Sequence, residues 1–174
     1  MQITSTTVGL IIALVSPGLL VLHTAGFWSP TLRRLGSRVL SGQAGISLLL
    51  VVLILAVGVS LVLTAGRWLV FERLICRSQA SRMPRFGALR ERSRLEAFRG
   101  AVDEHYRYHQ FYGSTALAVF VFYAGWSIHY RLTTSLPSFL VSALVWVGVE
   151  GLLFFAAIDT YGKYVRRINE ILSN

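Results

Sequence analysis

The sequence predicts an all-α integral membrane protein, a four-helix bundle whose third and fourth helices extend into the cytoplasm. Three observations lead there. Of the 174 residues, 54% are hydrophobic and only 14% charged, where soluble globular domains carry about 25% charged residues. Four apolar runs are long enough for a helix rising ~1.5 Å per residue to cross ~30 Å of hydrocarbon. The 17 Lys and Arg residues fall unequally between the two sides of those runs. Mean hydropathy of +0.59 excludes disordered tails, coiled coils and extracellular disulfide scaffolds. Cys76, the single cysteine, excludes an intrachain disulfide and a cysteine-based zinc site. The whole chain is read as one membrane domain.

The first span, residues 8–28, carries no charge and closes on Phe27 and Trp28, an aromatic pair suited to the headgroup region. A secretory signal shares such an apolar core. However, residues 1–7 lack Lys and Arg, and His23-Thr24-Ala25 puts histidine where a cleavage site needs a small side chain, so a retained helix is expected. Pro17 cannot donate to the Ala13 carbonyl, which predicts a kink with a free acceptor. In residues 31–40, Arg33, Arg34 and Arg38 alternate with Leu32, Leu35, Val39 and Leu40, the pattern of a short amphipathic helix lying on the membrane surface.

The second span, residues 44–65, is an uncharged Leu/Val/Ile run followed by Arg67 and Trp68. The segment 66–112 that follows is about 45 residues, below the size at which a lone core usually suffices, so no independent catalytic domain is expected there. Its first part is Arg-rich, broken at Met83-Pro84 and Gly87. From Arg90 the period becomes helical. Leu95, Phe98, Val102, His105, His109 and Tyr112 recur at steps of three and four, while Arg92, Glu96, Arg99, Asp103 and Arg107 alternate in sign on another face. One helix from Arg90 through the third span, residues 113–130, is predicted. The fourth span, residues 138–158, contains Glu150 and continues through Tyr161, Tyr164, Val165, Ile168 and Ile171 into a tail at 159–174. Thirteen basic residues fall on the side of the 66–112 segment and the tail, and four, Arg33, Arg34, Arg38 and Arg131, on the other. By the positive-inside rule, both termini are expected in the cytoplasm of a multi-pass protein of a cell (inner) membrane.

Few residues carry chemistry. A carboxylate in hydrocarbon costs a few kcal/mol or more, so Glu150 must be neutral, paired or hydrated. Antiparallel depth bookkeeping sets it level with Ser16, Pro17, Ser60 and Tyr123, and Gly148 and Gly151 beside it invite close helix approach. This polar site is either interhelical glue or a proton or cation site. His105 and His109 share a helix face at the spacing of helical metal ligands, but their aromatic neighbours Tyr106, Tyr108, Phe111 and Tyr112 suit an interfacial collar. His23 and His129 lie at one depth, roughly 22 to 24 Å from the cytoplasmic side at ~1.5 Å per residue, where two histidines could ligate a haem; nothing else in the sequence supports haem, and His129, beside Tyr130 and Arg131, reads as an interfacial histidine. No other cofactor is indicated.

Sixteen of the seventeen basic residues are arginine, whose planar fork binds phosphate bidentately. Arg77, Arg82, Arg85, Arg90, Arg92 and Arg94 are thus candidate contacts for anionic lipid headgroups, although orientation alone requires basic residues here. Glu72, Glu91, Glu96, Asp103 and Glu104 interrupt the charge and count against a nucleic-acid partner. No nucleophile triad, phosphate loop or DNA-reading motif is present. Three functional classes remain: a non-enzymatic sensor, scaffold or accessory subunit of an oligomeric membrane assembly, with its own copies or another protein as partner; a homo-oligomeric pore or proton/cation-coupled protein using Glu150; and a haem- or metal-dependent membrane oxidoreductase.

Overall fold

The computed structural model describes residues 5–75, 92–131 and 133–173, and every regular element among them is helical. Helix α1 (Ser5–Ala25) is followed by α2 (Pro30–Leu40). Ser29 caps α2, accepting from Leu32 N–H at 3.3 Å, and Pro30 occupies the first turn, where its missing N–H costs nothing. This is the predicted amphipathic segment, with none of its residues buried. A left-handed Gly42, φ +70°, then turns the chain.

Helix α3 (Ile46–Arg67) runs without a break into a π-helical segment, Trp68–Ile75. After residues 76–91, α4 (Arg92–Ala101) leads through a second π segment, Val102–Tyr106, into α5 (Arg107–Tyr130). The predicted long helix is therefore continuous from Arg92, with one difference. A π turn inserts an extra residue into the helical ladder, and within it the inward position after Phe98 and Val102 is Tyr106, four residues on, in place of His105, three on. Helix α6 (Leu136–Ser173) spans 38 residues, combining the fourth apolar run and its predicted extension in one rod.

Among the described residues, three helices are long and apolar enough to cross a membrane: Ile46–Leu74, Arg107–Tyr130 and Leu136–Leu172. Within α1, the apolar stretch Ala13–Ala25 is shorter. Helix α5 is central and packs against α1, α3 and α6. Glycines set the closest approaches. A Cβ on Gly18 would run into the carbonyl of Ala56, so α1 and α3 touch backbone to backbone, and Gly125 makes room for Thr24 and Trp28. In contrast, α6 packs chiefly on α5 and, lower down, on α4 and the second π segment. There, Tyr161, Tyr164, Val165 and Ile168 form a core with Ala101, Phe98, Val102 and Tyr106.

Candidate functional site

The most unusual chemistry lies where the two π segments meet α5 and α6. Arg67, the last residue of α3, is 2% exposed and donates from Nη1 to Glu72 Oε1 at 2.7 Å. Positions five apart point in different directions on an α-helix of 3.6 residues per turn, but the wider π turn brings them to one side. The same carboxylate oxygen accepts from Tyr106 Oη at 3.1 Å. The guanidinium also lies over the Tyr106 ring, 6.0 Å from its centroid. Gly113 supplies the room: a Cβ there would come within 2.9 Å of the Arg67 Cγ and Cδ atoms.

His109 completes the cluster. It is fully buried, with Nδ1 2.7 Å from the Ala157 carbonyl of α6. A carbonyl only accepts, so Nδ1 carries the proton, and in the neutral ring Nε2 is the bare acceptor. Nε2 has no hydrogen-bond partner among the described residues and lies 3.9 Å from Glu72 Oε1. The Tyr161 ring packs on the imidazole at 4.9 Å, Phe71 meets it edge-on at 6.1 Å, and Tyr106 and Tyr164 pack as a tilted pair at 5.0 Å. Burial, and then the Glu72 charge, hold the Tyr106 phenol above its ordinary range despite Arg67. The arrangement can neutralise a buried cation, fix three rods together and accept one further proton.

No protein-family model, no curated protein and no solved structure matches the chain.

The anticipated polar group around Glu150 is not assembled. Depth places residues at one level but says nothing of direction around the helix axis. Pro17 and Ser60 are buried on α1 and α3, which pack together and on α5, while Ser16 is exposed. Tyr123 instead meets the α6 face that carries Glu150: its ring stacks on Trp146 at 4.6 Å and 9°, one turn before Glu150. Tyr123 Oη, Trp146 Nε1, Glu150 Oε2 and Ser60 Oγ are each buried without a hydrogen-bond partner among the described residues. Gly148 and Gly151 do not receive a helix either, since a Cβ on either would meet nothing within 4 Å.

At the opposite end of α5, His23 and His129 both lie against the Phe27 ring, each at 5.6 Å. Trp28, Phe122 and Tyr130 extend this aromatic belt. Among the described residues, no three His, Cys, Asp or Glu side chains are grouped to hold a metal ion. His105 is only partly buried. Of the candidate headgroup contacts, Arg77, Arg82, Arg85 and Arg90 lie outside the described residues, as do the side chains of Arg92 and Arg94. Arg33 is a fold element: Nε and Nη2 donate to Gly26 O at 3.2 Å and Phe27 O at 2.9 Å, satisfying carbonyls just past the end of α1.

Sequence reasoning assigned Arg67, Glu72, Tyr106 and Tyr161 no joint role. One signal was present: an Arg and a Glu five residues apart at the end of a strongly apolar run. An α-period search does not pair them.

Proposed function

We propose that this chain is a small, non-enzymatic component of an oligomeric membrane assembly, a sensor, scaffold or accessory subunit, oriented with both termini and the basic face in the cytoplasm. In this reading α1 crosses the bilayer as well, which makes four spans. The observation that carries it is the outer side of α6. Its most apolar stretch has no residue buried within the chain, and Gly148 and Gly151 are uncovered there beside Leu144, Val147, Leu152 and Phe155. Small residues on an open helix face suit a second helix approaching at close range. The arginines of residues 77–94 would then contact anionic headgroups on the cytoplasmic leaflet.

Mass measurement of the full chain in lipid nanodiscs and mild detergent tests the reading. A multimer or a defined hetero-complex is expected, reduced to the single chain by Gly148→Leu or Gly151→Leu. A wild-type protein that is monomeric in both media overturns it.

One observation favours a second reading, a proton- or cation-coupled protein. Glu150 Oε2, Tyr123 Oη and Trp146 Nε1 give the α5–α6 seam a row of unpaired polar atoms within the hydrocarbon. Proton flux into liposomes that is abolished by Glu150→Gln would select it, whereas interhelical glue largely survives that substitution.

A further inference from the structure

We propose that Nε2 of His109 is a proton-binding site, at which an added proton bonds to Glu72 and makes one imidazole the bridge between the second apolar helix and the last. The inference goes beyond the assembly reading and does not depend on it.

Three features of the geometry converge. The hydrogen bond to Ala157 O at 2.7 Å commits Nδ1 as donor in the neutral and the charged ring alike, so the proton that comes and goes is the one on Nε2. Nε2 is wholly buried and, among the described residues, unpartnered. It faces a carboxylate oxygen at 3.9 Å, beyond hydrogen-bond range, as two acceptors must stand. Protonation turns the opposed pair into a charge-assisted N–H···O contact of about 2.8 Å, a closure of roughly 1 Å. The chain Ala157 C=O···H–Nδ1 and Nε2–H···Oε1 Glu72 then runs from α6 through α5 to the first π segment.

The groups facing the site set the balance. Arg67, from the end of α3, opposes a second cation and already holds Glu72 Oε1 at 2.7 Å. Glu72, from the first π segment, favours it. Tyr106, from the second, competes for the same oxygen at 3.1 Å. From α6 come the Tyr161 ring against the imidazole, the Tyr164 ring tilted against Tyr106, and Thr160, whose hydroxyl shares the Ala157 carbonyl at 3.1 Å. Access is through Glu72, which is 15% exposed while Arg67 and His109 are 2% and 0%. An exchangeable proton on a ring held at both ends suits a joint that senses pH.

The test is nitrogen-15 and carbon-13 spectroscopy of the full chain, labelled at histidine, in lipid nanodiscs, with His109 assigned by its loss in His109→Gln. The expected result is an Nδ1–H tautomer at neutral pH and conversion to imidazolium on acidification. In Glu72→Gln the midpoint should fall by about one pH unit or more, because a neighbouring opposite charge within ~4–6 Å favours the charged form by that much. An Nε2–H tautomer at neutral pH overturns the proposal, as does a ring that stays neutral down to acid unfolding, or a midpoint unmoved in Glu72→Gln. Tautomer and titration are read on the wild-type chain, so they decide the matter even if the variant does not fold. They are also independent of oligomeric mass, so failure here and failure of the assembly reading are separate results.

Discussion

Replacing Arg67 and Glu72 singly and together tests whether they act as one unit. Two unit charges about 4 Å apart at an effective dielectric of about 20 attract by about 4 kcal/mol. Arg67 is 2% exposed and Glu72 15%, so screening by water is slight. Glu72→Gln keeps an oxygen for Arg67 and Tyr106 but leaves a buried guanidinium unneutralised, a cost of about 3 kcal/mol. Arg67→Met costs less, about 2 kcal/mol, because the stranded carboxylate keeps the Tyr106 hydroxyl and partial access to water. If the losses were independent, the double variant would be about 5 kcal/mol less stable. With the charges coupled, it should lose only about 1 to 2 kcal/mol, since Met fills the space over Gly113 and no charge remains buried. Reversible unfolding of the full chain in mixed micelles, followed by tryptophan fluorescence with Trp68 beside the site, measures all four corners. A double variant whose loss equals the sum of the singles within about 0.5 kcal/mol would refute the coupling.

Other substitutions separate packing from propensity. Gly18→Ala should cost about 3 kcal/mol in the same unfolding assay, because the new Cβ meets the Ala56 backbone, which cannot swing aside; Gly58→Ala, with nothing within 4 Å of its Cβ, should gain about 0.5 kcal/mol. Arg33→Gln should destabilise by about 1 to 2 kcal/mol through loss of two carbonyl contacts, while Arg34→Gln should leave thermal unfolding unchanged. For Tyr106 the pKa is raised on folding, so the folded state holds the phenolic proton more tightly than the unfolded chain. That contribution is complete below the ordinary tyrosine value of about 10 and declines as pH rises through the folded value. Alkaline unfolding curves should accordingly be flatter above pH ~10 for Tyr106→Phe than for wild type.

Features set by length and composition were legible from the sequence. The amphipathic α2, the second and third apolar helices and the continuous last rod each follow from runs or periods that any packing arrangement must respect. Features set by direction around a helix axis were not. Rise per residue alone levels Ser16, Ser60, Tyr123 and Glu150, and the structure leaves Ser16 exposed, buries Ser60 on α3 and turns Tyr123 to the α6 face of Glu150. Gly18 and Gly148 look alike in sequence, yet one carries a backbone contact and the other faces outward. His109 was legible only as a metal-ligand candidate or part of an interfacial collar, and neither its burial nor its partners could be read, because the π turn that displaces Glu72 onto the side of Arg67 leaves no mark in an α period.

That displacement bears on why the cluster exists. A buried ion pair rarely stabilises a fold beyond what well-packed apolar residues of similar volume would do, and π turns are uncommon in ordinary helices. This chain has few charges to place, and its helices are otherwise built from residues that favour apolar packing. Nevertheless, two π segments, a buried Arg–Glu pair and a buried histidine with a bare ring nitrogen all occur at one junction. Each departs from the locally preferred choice, and departures that coincide are expected where a fold concedes stability to function. At the junction the Glu72 carboxylate ties the first π segment to Tyr106 of the second, and the His109–Ala157 hydrogen bond ties α5 to α6, whereas the α1–α3 contact at Gly18 depends on shape alone. If Nε2 takes a proton as we propose, the closure draws Glu72 and the end of α3 toward α5 with the bond to Ala157 of α6 kept, and the α1–α3 contact at Gly18 stays as it is.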